Sequence, residues 1–182
     1  YYNEIKLNFK KLLFTFNLRI EKIDIDYKSI HFHEYYDYYT YNTTYDTSYV
    51  DIENNNNLKG GKFSLLYKLN EKNNIYITLS NGFKSGGINQ NPRLSIDNRT
   101  YKPEYNQNID IGFRFRNNIS SFNFTTFYMK RNDLQVNLSS QQDNDNPNSF
   151  YFYTSNASTG YNMGWNLDFK IMTSNNFEFY SN

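Results

Sequence analysis

The chain has 182 residues, a net charge of +1 and no cysteine, and 20% of it is aromatic, with 19 Tyr and 16 Phe. Interspersed charges of both signs leave no electrostatic footprint for nucleic acid, and the lack of Cys excludes disulfide scaffolds, Cys-based zinc sites and thiol nucleophiles. No stretch is long and apolar enough for a transmembrane helix, which leaves transmembrane strands open.

Many large rings beside many amides fit a wall with lipid on one face and a polar lumen on the other better than a single packed core. The Asn content is not read as a functional signal. The chain starts at Tyr1 in strand-like sequence without a signal peptide, so it reads as a piece, or a mature portion, of something longer.

Ile5, Leu7 and Phe9 alternate with Glu4, Lys6 and Asn8, and Lys10-Lys11 turns the chain. Leu12, Phe14, Phe16, Leu18 and Ile20 then share a face opposite Thr15, Asn17, Arg19 and Glu21, in a strand expected to continue toward Tyr27. From Lys28 to Leu58 no period is sustained, and a long loop is expected. Phe63, Leu65, Tyr67 and Leu69, a polar break at Glu71 to Asn74, and Ile75, Ile77, Leu79 and Phe83 make a β-hairpin. A second loop is expected from about Lys84 to Lys102. Ile109, Ile111, Phe113 and Phe115 alternate with Asp110, Gly112 and Arg114, Asn117-Asn118 turns, and a return strand runs from Ile119 to about Val136. A third loop holds Gln141 to Pro147, pairing resumes near Tyr151 to Tyr153, and Tyr161, Met163, Trp165, Leu167, Phe169 and Ile171 share a further face. Ser174 to Asn176 is expected to turn into a strand opened by Phe177 and Phe179.

Connections alternate between short, at Lys10, Glu71, Asn117 and Ser174, and long, at Lys28, Lys84 and Asn137. Outer-membrane barrels alternate in this way because periplasmic turns are tight and extracellular loops extended. The expected fold is therefore all-β: about eight long antiparallel strands of a transmembrane barrel spanning residues 1–182.

His31 and His33, with Glu34 and Asp37 nearby, put two imidazoles on one side of an extended segment, an arrangement that suits zinc, copper or iron. No third fixed ligand is apparent, so no metal site is assigned. Tyr35, Tyr36, Tyr38, Tyr39 and Tyr41 supply rigid amphipathic rings that can grip a ligand, or that form an interfacial girdle. Asp143-Asn144-Asp145-Asn146 lacks the spaced carboxylates and closing Glu of a calcium loop. Gly82, Gly86 and Gly87 read as the end of a strand, since no helix follows them to hold a phosphate. Arg114, Arg116, Asp110 and Asp168 are expected to face the lumen. No nucleophile, triad or tuned carboxylate pair is visible, so neither an enzyme nor a cofactor is expected.

Gly82-Phe83-Lys84-Ser85-Gly86-Gly87-Ile88-Asn89, then Pro103-Glu104 and a strand with Asp110 two before Gly112, resemble the barrel of TonB-dependent outer-membrane receptors. Asn156-Ala157 and the strand at Gly164-Trp165-Asn166-Leu167-Asp168 resemble it further, with Asp110 where that family usually has Glu, and Asn166 and Asp168 in place of a Glu pair. The resemblance implies a 22-stranded barrel with an N-terminal plug. It also implies a place in the cell outer membrane among its lipids, and uptake of a scarce small-molecule ligand such as a metal chelate. The cargo would most often be a ferric siderophore, otherwise cobalamin, haem or a glycan, driven by the TonB complex acting on the plug. Two other readings stay open: a small passive barrel acting as pore or adhesin, and a soluble carbohydrate-binding β-sandwich.

Overall fold

A computed structural model describes residues 1–92, 94–141, 145–172 and 177–181. Its strands are β1 (Tyr2–Phe9), β2 (Leu12–Asp37), β3 (Asn42–Lys68), β4 (Asn73–Lys84), β5 (Gly87–Ile88), β6 (Thr100–Tyr101), β7 (Glu104–Arg116), β8 (Ser120–Gln141), β9 (Phe150–Met172) and β10 (Glu178–Ser181). Eight of them form one antiparallel sheet in the order β1-β2-β3-β4-β7-β8-β9-β10, while β5 and β6 pair separately. Neighbours in sequence are neighbours in space, as in an up-and-down barrel wall. The wall is open, since β1 and β10 stand at the two ends of the order.

The register explains the alternation. Leu7, Phe14, Leu65, Ile77, Ile111, Thr126 and Trp165 lie opposite one another from strand to strand. One level further along the strands lie Ile5, Phe16, Phe63, Leu79, Ile109, Tyr128 and Met163. These rings and branched chains form a continuous apolar band on one face, and they stay open to the surroundings: Ile111 is 52% exposed and Trp165 67%. Among the described residues no second sheet covers that face, as a sandwich would require. An uncovered apolar band on a sheet whose other face carries Asp110, Thr78, Ser64 and Thr15 is the arrangement of a wall that meets lipid outside and a polar lumen inside.

The expected long loop from Lys28 to Leu58 is not a loop. β2 continues to Asp37 and β3 begins at Asn42, paired without interruption from Leu12 opposite Tyr67 to Asp37 opposite Asn42, so only residues 38–41 turn the chain. The period failed because its phase inverts while the strand goes on. Up to Ile20 the outward residues of β2 are apolar. Beyond it the outward set is Lys22, Asp24, Asp26 and Lys28, and the inward set is Ile23, Ile25 and Tyr27. Outside, ion pairs join Lys22 to Asp24 at 2.8 Å and Lys28 to Asp51 at 3.1 Å. Similarly β8 runs past Val136 to Gln141, and β9 begins at Phe150. The turns at Lys10-Lys11 and Asn117-Asn118 are as expected; the polar break expected at Glu71 to Asn74 falls at residues 69–72 instead, with Asn73 and Asn74 already paired in β4. The turn expected at Ser174 to Asn176, and Asp143-Asn144, lie outside the described residues.

Candidate functional site

The second expected loop does exist, and it is folded. Residues 85–103 hold β5, β6 and a 3-10 turn at Ile96–Asn98, and they pack between the tall β2–β3 hairpin and the β8–β9 hairpin. Toward β2–β3, Asn54 Nδ2 donates to Gly87 O at 2.7 Å, and Tyr27 Oη donates to Gln90 O at 3.4 Å. Toward β8–β9, Asn89 mimics a strand edge: its Nδ2 donates to Thr154 O at 2.8 Å, and its Oδ1 accepts from Thr154 N at 2.9 Å. Asn156 repeats the device on Lys102, accepting its N–H at 2.7 Å and donating to its carbonyl at 3.0 Å. Two amide side chains thus stand in for ladder hydrogen bonds where β-pairing is interrupted.

Little apolar surface is buried in this chain, and what is buried sits here. Among the described residues the buried apolar side chains are Ile52 and Leu58 on the inward face of β3 and Leu94 in the packed loop. Arg99 is buried with them, donating from Nε to Leu94 O at 3.1 Å and from Nη2 to Pro92 O at 2.7 Å, so the loop is wound around its guanidinium.

Pro103-Glu104 closes the loop onto the wall. The Glu104 carboxylate is buried; it accepts from Arg131 Nε at 2.7 Å and from Gln135 N at 2.9 Å. Gln135 in turn donates to Ser85 O at 2.7 Å and Lys102 O at 3.1 Å. Between Arg131 and Gln135, Asp133 takes a left-handed φ of 51° within a strand, and its carbonyl accepts from Asn156 Nδ2 at 2.8 Å. A distorted strand, a buried carboxylate and three amide side chains therefore fix where the loop rejoins the wall.

The glycines of the wall and of the packed loop act by leaving space. None of the described glycines has a positive φ. At Gly112 the vacated position is taken by the Tyr76 ring, whose Oη reaches Thr125 Oγ1 at 2.6 Å across β7. Gly164 makes room for Phe127 opposite it, Gly82 for the Asn106 amide, and Gly87 for the Tyr101 ring. Gly86 lies against the Tyr101 carbonyl and the Asn56 amide. Phe83, which alternation groups with Ile75, Ile77 and Leu79, packs instead beside Gly60 under the Arg19 guanidinium, 4.9 Å from its ring centre. Lys84 pairs with Glu104 at the top of β4. On the polar face Asn108 Nδ2 donates to Asp110 at 2.8 Å and Asn123 Nδ2 to Asp168 at 2.9 Å, while Arg114 covers the Tyr76 ring.

The residues expected to hold a ligand are divided by their strand. His31, His33 and Tyr35 belong to β2, on the inward side and above the stretch that the packed loop covers; Tyr36 is on the outward side, and Tyr38, Tyr39 and Tyr41 sit in or beside the tip turn. Tyr36 and Tyr38 pack edge to face with ring centres 4.9 Å apart. Tyr41 holds a φ of 55°. Asp37 organises the tip, accepting from Thr40 Oγ1 at 2.7 Å and Tyr39 N at 2.8 Å. These two donors, Thr40 first, hold its carboxyl below the ordinary carboxylate range. Sequence reading missed Asn89, Asn156, Gln135 and Arg131 as working side chains. Asn89 and Asn156 do lie in the stretches that carry the family resemblance, but an amide gives no sequence signal of the backbone it will hold.

A polar-lined, apolar-banded antiparallel wall with short turns at one end and tall hairpins at the other defines the outer-membrane β-barrel class. Over residues 1–182 the chain matches the family "TonB dependent receptor-like, beta-barrel", and it belongs to that family. Among solved structures it is similar to the ferric yersiniabactin uptake receptor FyuA of Yersinia pestis, at 19% identity and a TM-score of 0.66, over 96% of this chain and 24% of that one. It is also similar to the Serratia marcescens hemophore receptor HasR, solved with HasA and heme, at 10% identity and a TM-score of 0.67, over 94% of this chain and 31% of that one. The copper transporter OprC gives 12% identity and a TM-score of 0.68, over 97% of this chain and 27% of that one. The chain thus spans about a quarter to a third of these receptors. No curated protein matches it in sequence.

Proposed function

We propose that this chain is one side of an outer-membrane receptor of a Gram-negative cell that takes up a scarce nutrient, a ferric siderophore before cobalamin, haem or a glycan, with energy delivered by TonB through a plug. The observation that carries the reading is the inward face of the β2–β3 hairpin. It continues far beyond the apolar band, presents His31, His33 and Tyr35 to the barrel mouth, and stands beside a loop folded inward and fastened to the opposite hairpin. Such a surface, above the level of the apolar band, supports a reading in which these side chains meet external cargo. Transport receptors rather than enzymes make up its family and structural likenesses, and the cargoes named for those likenesses, ferric yersiniabactin, heme and copper, support a metal-bearing ligand.

The test is uptake of radiolabelled ferric complexes by cells that carry the full receptor. Uptake is expected to stop when TonB is deleted, and to fall when residues 29–50 are replaced by a short turn while the protein still reaches the outer membrane. Uptake that persists in both strains would refute the reading.

A further inference from the structure

At the end of the wall away from the tall hairpins, positive charge is concentrated on two adjoining turns. Lys10 and Lys11 turn β1 into β2, Lys68 ends β3, and Lys72 lies in the break before β4. The Lys68 N–H donates to the Lys11 carbonyl at 2.8 Å, which holds the two turns side by side. All four lysines are exposed, and among the described residues none of them forms an ion pair. Glu71 is the only carboxylate in either turn. Immediately inside this rim Phe9, Leu12 and Tyr67 stand in one outward row, with Phe9 and Tyr67 exposed, and Leu69 is exposed beside them. Apolar side chains that give way to free ammonium groups match the boundary between acyl chains and headgroups. Lysine stems cover apolar surface there while their charges reach the polar layer on either side of the rim.

The backbone supplies a second, independent mark. Lys10 has a φ of 51°, in the left-handed region that Gly and Asn enter most readily. The other turns of this end are built on amides: Asn70 Oδ1 accepts from the Lys72 and Asn73 N–H groups, and Asn117 Oδ1 from those of Ile119 and Ser120. A lysine in the left-handed position is therefore not what the turn itself favours; its gain is the charge it adds to the rim. The far end differs in sign. Beyond the apolar band, the outward face of the β2–β3 hairpin sets Lys22 and Lys28 among Asp24, Asp26, Asp51 and Glu53, with both lysines in ion pairs.

Short turns of an outer-membrane barrel lie on its periplasmic side. We propose that Lys10, Lys11, Lys68 and Lys72 form a docking surface for anionic phospholipid headgroups of the periplasmic leaflet, so that this side of the wall gathers phosphatidylglycerol-type lipids in preference to zwitterionic ones. A lysine near an anionic lipid surface favours it about fivefold.

The test uses the full receptor, free of other cysteines, with Leu69→Cys carrying a bimane fluorophore, in nanodiscs of phosphatidylethanolamine. Brominated phosphatidylglycerol or brominated phosphatidylethanolamine is added at equal mole fraction, and quenching of the fluorophore reports which lipid stands at the rim. Preference for the anionic lipid is expected at about fivefold or more. It should disappear in the variant combining Lys10→Asn, Lys11→Asn, Lys68→Asn and Lys72→Asn, and in 1 M salt, where screening acts within about 3 Å. Lys10→Asn alone should lower the preference while leaving the urea midpoint unchanged or higher, a combination that a purely structural role for Lys10 does not produce. Equal quenching by the two lipids in the parent overturns the proposal, and so does a preference that survives the fourfold substitution. An acidic polypeptide held by these lysines inside the barrel would give the first of those results.

Discussion

Glu104 shows how much one side chain can organise. Its carboxylate is the acceptor for Arg131 and for the Gln135 backbone, at the point where the packed loop rejoins the wall. Replacing it by Ala leaves a guanidinium and an N–H without their acceptor, and hydrogen bonds to a charged group contribute about 1.5–3 kcal/mol each. The Arg131 guanidinium is partly exposed and can turn to water, so the expected result is a loss of about 2 kcal/mol, read as a lower urea midpoint of the refolded receptor in lipid vesicles, with Glu104→Gln losing less. Asp37 governs a smaller region. Its folded value is depressed by Thr40 and Tyr39, so its contribution is present above the unfolded carboxylate range and is lost as pH falls through the folded value. The tip should keep its order at neutral pH and fray only on strong acidification. Amide exchange at Tyr39 and Thr40 checks this, with Asp37→Asn expected to fray at all pH values.

At the scale of the element, each strand answers to two environments along its length. Within the band, Ile109, Ile111 and Phe113 of β7 are outward and Asp110 and Gly112 inward. An Arg in place of Ile111 is expected to cost about 2–4 kcal/mol near the bilayer midplane, measured as lost folded protein in a refolding titration, whereas Asp110→Asn should change stability little. In β2 the outward residues from Lys22 to Lys28 are charged, and the inward ones become apolar where the packed loop covers them. A reading by period alone sees that inversion as the end of a strand. The backbone pairing continues, because hydrogen bonds across the hairpin do not depend on which face is apolar.

For the whole molecule, an open wall of eight strands with unpaired ends matches about a quarter to a third of the solved receptors it resembles. The rest of a barrel would supply the partners for β1 and β10 and the enclosure that turns an inward face into a lumen. That is why the transport proposal is tested on the full receptor.

Sequence by itself determined the strands in the apolar band, their antiparallel succession, the tight turns at Lys10 and Asn117 and the family, because lipid and lumen impose a strict two-residue period that local composition records. It also marked Gly82, Gly112 and Glu104, without their reasons. Only the tertiary structure decided that the stretch from Lys28 to Leu58 is a hairpin and that His31 and His33 share its inward face. The same holds for the glycines, which make room for Tyr76, Phe127 and Asn106, and for Asn89 and Asn156, which fasten a loop between hairpins. Those outcomes depend on what lies across the sheet at each height, and no window of neighbouring residues contains that information.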